Sequence, residues 1–273
     1  MNVVVTGAAS GIGFALARRL LGQGHQVCAC DINLDAMSAL NSFTASQNQL
    51  LIKSLDVRDA AAWQVLMADV AAQWGSVDVL ANVAGVLRDG WAHEATADDV
   101  HWQIDINVKG VIFGCQAVLP HMLANGSGHI INIASLAGLT PVPGLGIYSA
   151  SKFAVRGYTL GIAMELADKG IAVTAVCPDA VQTPMLDIQK GREQAALTFS
   201  GPRALSAEEV VDAIVGPVWH KRPMEVTLPS WRGATAQVAS LFPETSAKAL
   251  GMFRKAGLKR QAEIKAGQDS TQK

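Results

Sequence analysis

Cysteine is scarce in this sequence, and the few that occur form no ligand pattern. The cysteines are Cys28, Cys30, Cys115 and Cys177, with no C-x-x-C pair among them. Cys28 and Cys30 lie two positions apart on a predicted strand, which is too close for a relaxed disulfide. This distribution argues against a disulfide framework or a zinc site and favours reduced thiols. We therefore expect a cytoplasmic protein without a bound metal.

Excess charge and long apolar runs are also lacking. Only 16% of the residues are charged and the formal net charge is −1, so neither nucleic acid nor an anionic membrane is an expected partner. No uncharged apolar run reaches the ~18 to 20 residues that a membrane-spanning helix needs. A strand-like run begins almost at the initiator Met, so we expect no signal peptide.

Repeats, low-complexity segments and linker-like changes of composition are absent as well, and a single domain over residues 1–257 is the simplest interpretation. Short β-branched runs alternate with longer helical patterns, which predicts βαβ units. The expected fold is α/β, a Rossmann-type doubly wound parallel sheet of about seven strands with helices on both faces. The predicted strands are Asn2–Thr6, Gln26–Cys30, Gln49–Ser54, Val77–Ala81, His129–Ala134, Ile171–Val176 and Glu225–Leu228, and the predicted helices lie near 11–22, 34–46, 59–74, 97–124, 148–169 and 207–217.

Two regions depart from this alternation. The connection Pro178–Ser206 is longer than usual, and its part 185–206 is expected to be a substrate loop. Residues 229–257 carry apolar side chains at helical spacing and predict a helical C-terminal extension. We expect this extension to cover the substrate site, to modify the oligomer or to touch a membrane surface. Residues 258–273 are polar and are expected to form a frayed tail.

A glycine-rich turn follows the first strand and opens the first helix. Its sequence, Thr6–Gly13, has the spacing G-x-x-x-G-x-G, with Ser10 before the second glycine. Backbone N–H groups at such a turn can approach a pyrophosphate, which predicts dinucleotide binding. Asp31 ends the second strand, where a carboxylate can accept from a ribose hydroxyl and would repel a 2′-phosphate. Because Ile32 offers no cation for that phosphate, NAD is the expected cofactor, with NADP less favoured.

The segment Tyr148–Lys152 carries the strongest signal for catalysis. Residues four apart share a helix face, so the phenol of Tyr148 and the ammonium of Lys152 should point the same way. A nearby ammonium favours the phenolate and lowers the pKa of a tyrosine, and proton transfer to or from an alcohol needs such a tuned group. Ser135 lies thirteen positions before Tyr148.

Together these residues resemble the short-chain dehydrogenase/reductase family, in its short single-domain branch. The resemblance covers roughly Met1–Thr183 and adds an acid with its neighbour, Asp56-Val57, and the segment Asn82-Val83-Ala84-Gly85, where Val83 replaces the family's second Asn. It implies that Tyr148 exchanges a proton with the substrate, Ser135 holds the substrate oxygen, and Lys152 lowers the Tyr148 pKa and contacts the nicotinamide ribose. Asn107 would bend its helix and hold a proton-relay water. The implied cofactor-binding residues are Gly7, Ser10, Gly11, Ile12, Gly13, Asp31, Ile32, Asp56, Val57, Asn82, Ala84, Gly85, Tyr148, Lys152, Pro178, Val181 and Thr183.

Asp179 is a departure from the family pattern, which usually has Pro-Gly where this chain has Pro178-Asp179. One interpretation is a substitution that the loop absorbs, because Asp tolerates left-handed backbone better than most residues. The other is that Asp179 contacts a polar substrate group or a loop cation.

The expected substrate is a small-molecule alcohol or ketone, most simply a hydrophobic one, because the residues expected around it are largely apolar. The substrate-binding candidates are Ser135, Leu136, Val142, Leu145, Tyr148, Asp179 and Met185. The resemblance also implies a homodimer or homotetramer. An NAD-dependent oxidoreductase of secondary alcohols is therefore the leading prediction. The alternatives are a nucleotide-sugar epimerase or dehydratase, which usually needs a larger C-terminal domain, and a non-catalytic NAD-binding regulatory or scaffold protein.

Overall fold

The computed structural model describes the backbone of residues 1–46 and 48–271, with side chains to residue 266. In this part of the chain, seven parallel strands form one sheet in the order β3-β2-β1-β4-β5-β6-β7. The order reverses between β1 and β4, which creates the crevice that ligands occupy in doubly wound sheets. The strands are β1 (Asn2–Thr6), β2 (Gln26–Asp31), β3 (Leu50–Ser54), β4 (Val79–Asn82), β5 (Gly128–Ile133), β6 (Ile171–Pro178) and β7 (Glu225–Leu228).

Helices cover both faces of the sheet, as predicted. Side chains alternate across a strand, so Val4 of β1 joins the core beneath α3, α5 and α6, while Val3 and Val5 join the core beneath α1 and α8. This placement confirms the Rossmann-type α/β fold. The helices are α1 (Gly11–Gly22), α2 (Leu34–Met37), α3 (Ala60–Trp74), α4 (Ala97–Ile104), α5 (Gly110–Asn125), α6 (Gly146–Glu165), α7 (Pro184–Asp187), α8 (Ala207–Ala213), α9 (Trp219–Lys221), α10 (Ser230–Leu241) and α11 (Pro243–Thr271).

Several predicted helices are broken or shifted. The prediction over 97–124 is divided by a π-turn, Asp105–Lys109, between α4 and α5. A second π-turn, Ile214–Val218, follows α8, and the predicted helix 34–46 contains the short α2 followed by a 3-10 turn, Ser38–Phe43. Apolar spacing alone does not reveal such turns, because a π-turn shifts the spacing by only one position within a pattern that is judged over a long window.

The substrate loop and the C-terminus are more helical than predicted. The loop contains the end of α7 and a 3-10 helix, Glu193–Phe199. Helix α11 continues to Thr271, so residues 258–271, expected to fray, are helical, and residues 272–273 lie outside the described chain. Packing explains the difference, since the Gln261 amide donates to the carbonyl oxygens of Gln189 (3.2 Å) and Arg192 (3.1 Å).

Among the described residues, one helical segment is long and apolar enough by length and composition to cross a membrane. This segment, Ala97–Asn125, comprises α4, the π-turn and α5, and 44% of its most apolar window is buried. Its buried residues include Val111, Cys115 and Val118, which belong to the core beside β4 and β5. Core packing accounts for its apolar character.

Each of the four cysteines is buried and free. The Sγ atoms of Cys28 and Cys30, on β2, lie 3.6 Å apart. Burial raises the pKa of Cys115, on α5, and of Cys177, on β6, to about 12 each. These thiols are held in the protonated, weakly reactive form.

Candidate active site

A large cleft lies at the carboxyl ends of the strands, where the strand order reverses. Its volume is about 1370 Å³, and its walls come from the glycine turn, the ends of β2, β4, β5 and β6, the substrate loop and helices α10 and α11. Every predicted site residue lines this cleft except Asn82 and Asn107, which lie behind its wall. The predicted residues that line it are Gly7, Ser10, Gly11, Ile12, Gly13, Asp31, Ile32, Asp56, Val57, Ala84, Gly85, Ser135, Leu136, Val142, Leu145, Tyr148, Lys152, Pro178, Asp179, Val181, Thr183 and Met185.

The glycine turn is shaped by close backbone contacts. Gly7 has φ +68°, and a Cβ there would lie 2.9 Å from the Ala84 Cα. A Cβ on Gly13 would lie 2.2 Å from the Gly7 carbonyl oxygen. The Thr6 hydroxyl accepts from the N–H groups of Val83 (3.0 Å) and Ala84 (3.1 Å). The turn is therefore fixed to the loop after β4, and the N-terminus of α1 faces the cleft.

Asp31 is held at the end of β2 beside this turn. Its carboxylate accepts from the backbone N–H groups of Ala9 (3.2 Å) and Asn33 (3.0 Å). Ile32 next to it is 73% exposed. A carboxylate with a fixed orientation at this end of the cleft suits a ribose hydroxyl and opposes a phosphate.

Asp56 has an ion-pair partner, Arg58, that was not predicted from the sequence. Arg58 donates to both carboxylate oxygens of Asp56, at 2.9 Å from Nε and 2.6 Å from Nη2. These hydrogen bonds lower the pKa of Asp56, and both residues line the cleft. The Asp56 carboxylate is thus part of an ion pair at the edge of the nucleotide side.

Tyr148 is buried at the centre of the cleft, 8% exposed and packed with Leu87, Ala137 and Leu145. Burial raises the pKa of its phenol to about 12, while the nearby Ser135 hydroxyl acts in the opposite direction. The sequence predicts a lowered pKa, and the surroundings give a raised one because desolvation disfavours the phenolate. In this environment Tyr148 holds its proton firmly.

Lys152 lies one helical turn after Tyr148, on the same face of α6. Its Nζ donates to the Ile133 carbonyl oxygen (2.8 Å) and lies 5.7 Å from the centre of the Tyr148 ring. The side chain is 4% exposed, and this burial lowers its pKa to about 8. The structure therefore places a readily deprotonated amine beside the phenol.

Asn107 occupies the middle of the π-turn between α4 and α5, and it is fully buried. Its Oδ1 accepts from the Val86 N–H (2.8 Å), and its Nδ2 donates to the Val86 carbonyl oxygen (2.9 Å) and to the Ser151 hydroxyl (3.0 Å). A Cβ on Gly85 would lie 3.3 Å from Asn107 Oδ1 and 3.5 Å from Lys152 Nζ. Asn107 thus fixes the loop after β4 against α6, directly behind Lys152.

Asn82 belongs to the core beneath the cleft. Its Nδ2 donates to Asn132 Oδ1 (2.9 Å), and a Cβ on Gly114 would lie 2.7 Å from its Oδ1. Its side chain points to the face of the sheet that α5 covers. The sequence segment that contains it still reaches the cleft through Ala84 and Gly85.

Asp179 forms an ion pair with Arg232 of α10, with 2.6 Å between Oδ2 and Nε. The Asp179 and Arg232 side chains are only 15% and 19% exposed. Asp179 does not have a positive φ, so its backbone has no need of glycine. Of the two interpretations, the structure favours contact with a cation. That cation, Arg232, comes from α10 rather than from the substrate loop.

The substrate end of the cleft is mostly apolar. Leu136, Val142, Leu145 and Met185 line this end of the cleft. Helices α10 and α11 form another wall, which sequence patterns did not locate because it depends on contacts between distant segments. The wall residues from these helices are Trp231, Arg232, Thr235, Ala236, Ala239, Ser240, Pro243, Ser246, Ala247, Ala249, Leu250 and Phe253.

Comparison with known proteins agrees with this geometry. A family model described as short chain dehydrogenase matches residues 1–194. A 2-(R)-hydroxypropyl-CoM dehydrogenase of Xanthobacter autotrophicus is 36% identical over 221 residues, which cover 78% of this chain and 88% of that protein. An NADP-dependent 3-hydroxy acid dehydrogenase of Salmonella typhi is 37% identical over 218 residues, covering 78% and 87%.

A solved structure, the closed form of serine dehydrogenase complexed with NADP+, superposes with a TM-score of 0.73. It is 34% identical, and the match covers 83% of this chain and 93% of the other. The sheet order, the cleft and these similarities lead to one assignment. The chain belongs to the short-chain dehydrogenase family, whose members are oxidoreductases that use a nicotinamide cofactor.

Proposed function

We propose that this protein, a member of the family's short single-domain branch, transfers a hydride between NAD(H) and a hydrophobic secondary alcohol or ketone. The observation that carries the proposal is the arrangement of Tyr148, Ser135 and Lys152 in one cleft, with Asn107 directly behind Lys152. A phenol, a hydroxyl and an amine in this arrangement can hold a substrate oxygen and move a proton to or from it.

The cofactor fits the nucleotide side of the cleft. The glycine turn leaves space that a Cβ would fill at Gly7 and Gly13, and the N-terminus of α1 can face a pyrophosphate. When bound there, the nicotinamide supplies the hydride chemistry. Asp31 would hold the adenosine ribose, and Val181 and Thr183 would hold the carboxamide end.

Each catalytic side chain has a distinct role in the proposed reaction. Ser135 orients the substrate oxygen by a hydrogen bond. Tyr148 donates its proton to that oxygen during reduction and accepts it during oxidation. The Lys152 ammonium would partly offset the burial that raises the pKa of Tyr148, and it would contact the cofactor ribose. Asn107 positions Lys152 by fixing Val86 and Ser151.

The proposed preference for NAD depends on Asp31, because the similar proteins include both NADP-dependent and NAD-dependent enzymes. We expect purified protein to bind NADH at least tenfold more tightly than NADPH in a fluorescence titration. Asp31→Ser should reduce that ratio by removing the repulsion of the 2′-phosphate. Asp35→Ser, on the exposed short α2, is the matched control. Equal affinities in the parent protein would overturn the NAD preference without affecting the family assignment.

A neutral substrate is favoured by the charges of the cleft. Within the described residues, the Lys and Arg side chains that line it are Arg58, Lys152 and Arg232. Arg58 and Arg232 each pair with a carboxylate. The apolar walls therefore dominate recognition at the substrate end.

Catalysis itself is tested by Tyr148→Phe. We expect turnover to fall by about 10²–10⁴-fold, because proton transfer is lost, while NADH affinity stays within twofold. Tyr158→Phe, on the same helix, should keep its activity. If the parent protein binds NADH but oxidises no secondary alcohol in a broad screen, the non-catalytic alternative becomes the better account.

The remaining parts of the proposal concern assembly and location. We expect a homodimer or homotetramer in the cytoplasm, with residues 1–257 as one folding unit. Analytical ultracentrifugation of the purified chain tests the assembly.

A further inference from the structure

Helix α10 presents an apolar stripe to the outside of the molecule. Trp231, Val238, Leu241 and Phe242 are between 55% and 72% exposed. They lie at positions i, i+7, i+10 and i+11, which share one side of a helix and its end. The opposite side of α10 packs inward through Gly233 and Ala236. These four side chains therefore form one apolar surface and are not isolated exposed residues.

Helix α11 continues this apolar surface and adds positive charge. Met252 is 66% exposed and Phe253 is 43% exposed. Lys248, Lys255 and Lys259 lie at i−4, i+3 and i+7 from Met252, so three ammonium groups surround an exposed apolar side chain. We call Trp231, Val238, Leu241, Phe242, Met252 and Phe253 the outer apolar face.

The near-zero net charge of the chain conceals an asymmetry. Residues 229–273 contain eight Lys or Arg and three Asp or Glu, a net charge of +5, whereas residues 1–228 carry −6. Cationic residues beside exposed Trp, Phe and Leu are typical of helices that lie in the interface of an anionic bilayer. The sequence-based expectation against an anionic membrane relied on the total charge, whereas contact of the C-terminal extension with a membrane surface was left open.

The outer apolar face is continuous with the mouth of the cleft. Trp231 and Phe253 belong to both, since each lines the cleft and is also exposed. Other residues of the same helices, including Ala236, Ala239 and Leu250, form the inner wall of the substrate end. A surface that contacts this face would therefore lie next to the entrance for an apolar substrate.

We propose that α10 and α11 dock this protein on the surface of an anionic membrane, with the outer apolar face in the headgroup region. A second copy of the chain is the less favourable occupant. A two-fold contact would place the same face of each copy together, and the basic residues around it would repel each other even though Arg232 and Arg254 pair with Asp179 and Glu193. The proposal concerns docking and stands independently of cofactor choice and turnover.

Flotation of the purified full-length chain with lipid vesicles tests the proposal. We expect binding to vesicles of phosphatidylglycerol and phosphatidylcholine, at least tenfold weaker binding to phosphatidylcholine alone, and weaker binding at 0.5 M salt. Leu241→Ser/Phe242→Ser should weaken binding more than tenfold because apolar contact is lost. Lys248→Gln/Lys255→Gln should weaken it roughly 25-fold, since each basic residue contributes about fivefold near such a surface.

Val65→Ser is the matched control, because Val65 is 63% exposed on α3 and lies outside the C-terminal helices. It should bind vesicles as the parent does. None of the substituted residues lines the cleft, and unchanged circular dichroism and NADH affinity establish that each variant is folded. Absence of binding to anionic vesicles overturns the proposal, as does full binding by Leu241→Ser/Phe242→Ser. A change of oligomeric state in that variant, with no vesicle binding by the parent, would identify the face as a contact between copies.

Discussion

Burial is the dominant influence on the proposed catalytic residues. Tyr148 and Lys152 are 8% and 4% exposed. Burial favours the uncharged side chain in both cases, so it raises the pKa of Tyr148 and lowers the pKa of Lys152. A neutral phenol beside an amine with a pKa of about 8 is a pair whose charge responds to what binds next to it. Burial of the Lys152 ammonium is therefore a cost to stability at pH 7, whereas the Tyr148 phenol is neutral in both the folded and the unfolded chain.

This cost predicts that Lys152→Met stabilises the protein while it abolishes turnover. The folded pKa of Lys152 is about 8 and the ordinary value is 10.5, so keeping the ammonium at pH 7 costs roughly 3 kcal/mol. After loss of the hydrogen bond to Ile133, we expect a net gain of about 1–3 kcal/mol in the free energy of unfolding. Urea denaturation at pH 7 measures it.

The direction of this change in the free energy of unfolding can be checked by raising the pH. Between about 8 and 10.5 the unfolded chain binds more protons than the folded one, so the parent gains stability as the pH rises through this range. The advantage of Lys152→Met should shrink accordingly. Lys109→Met, at a lysine that is 55% exposed, should give no comparable gain, and an equal gain there would contradict the argument.

At the scale of elements, the π-turn between α4 and α5 is the feature most directly tied to the site. Asn107 contacts the backbone of Val86 and the Ser151 hydroxyl from this turn. A regular helix would rotate these contacts out of place, because a π-turn contains one extra residue. The turn thus couples the loop after β4 to the catalytic helix α6.

Asn107→Ala tests this coupling. We expect the free energy of unfolding to fall by about 1–3 kcal/mol because two backbone groups of Val86 lose their partners. Turnover should fall at least tenfold. Ser151→Ala removes only one of the hydrogen bonds of Asn107 and should have a smaller effect on both quantities. If the Asn107 variant retains parental turnover, the positioning role is wrong.

The Asp179–Arg232 ion pair connects β6 to α10, and it predicts a change of substrate preference. Asp179→Asn removes the negative charge and leaves the Arg232 guanidinium facing the cleft. We expect the ratio of kcat/KM for a hydroxy acid to that for a neutral secondary alcohol to rise at least tenfold. Asp56→Asn, which frees Arg58 at the nucleotide end, is the matched control. An unchanged ratio in the Asp179 variant would contradict the assigned position of Arg232.

The sequence predicts local features of this site better than long-range ones. The glycine turn, Tyr148 and Lys152 are recognisable because their chemistry requires fixed spacing within one element. The pairing of Asp179 with Arg232 spans 53 positions, and neither residue has a local signal for the other. Similarly, the π-turn at Asn107 is invisible in apolar spacing. The raised pKa of Tyr148 depends on packing from several segments, which no single motif encodes.

At the scale of the whole molecule, α11 closes the fold by packing against the substrate loop. Gly257 permits this contact, since a Cβ there would lie 1.9 Å from the Ala196 carbonyl oxygen. Arg254 adds an ion pair with Glu193, and Gln261 donates to two loop carbonyls. The substrate end of the cleft thus depends on the packing of α11.

Gly257→Val should therefore displace α11 and widen the substrate end. We expect KM for a hydrophobic alcohol to rise several-fold, while the NADH dissociation constant stays unchanged because the glycine turn is untouched. Gly251→Val on the same helix is the control, since no atom lies within 4 Å of a Cβ at Gly251. Equal effects of the two substitutions would show that only helix propensity had changed.

The buried cysteines have a practical consequence. Cys28 and Cys30 on β2, Cys115 on α5 and Cys177 on β6 are shielded in separate parts of the molecule. A maleimide can reach each thiol only when its surroundings open, so labelling rates read by peptide mass spectrometry would report local and global opening at native conditions. The chain therefore carries natural probes of its own opening motions in β2 and β6, on either side of the sheet centre, and in the helix layer beside them.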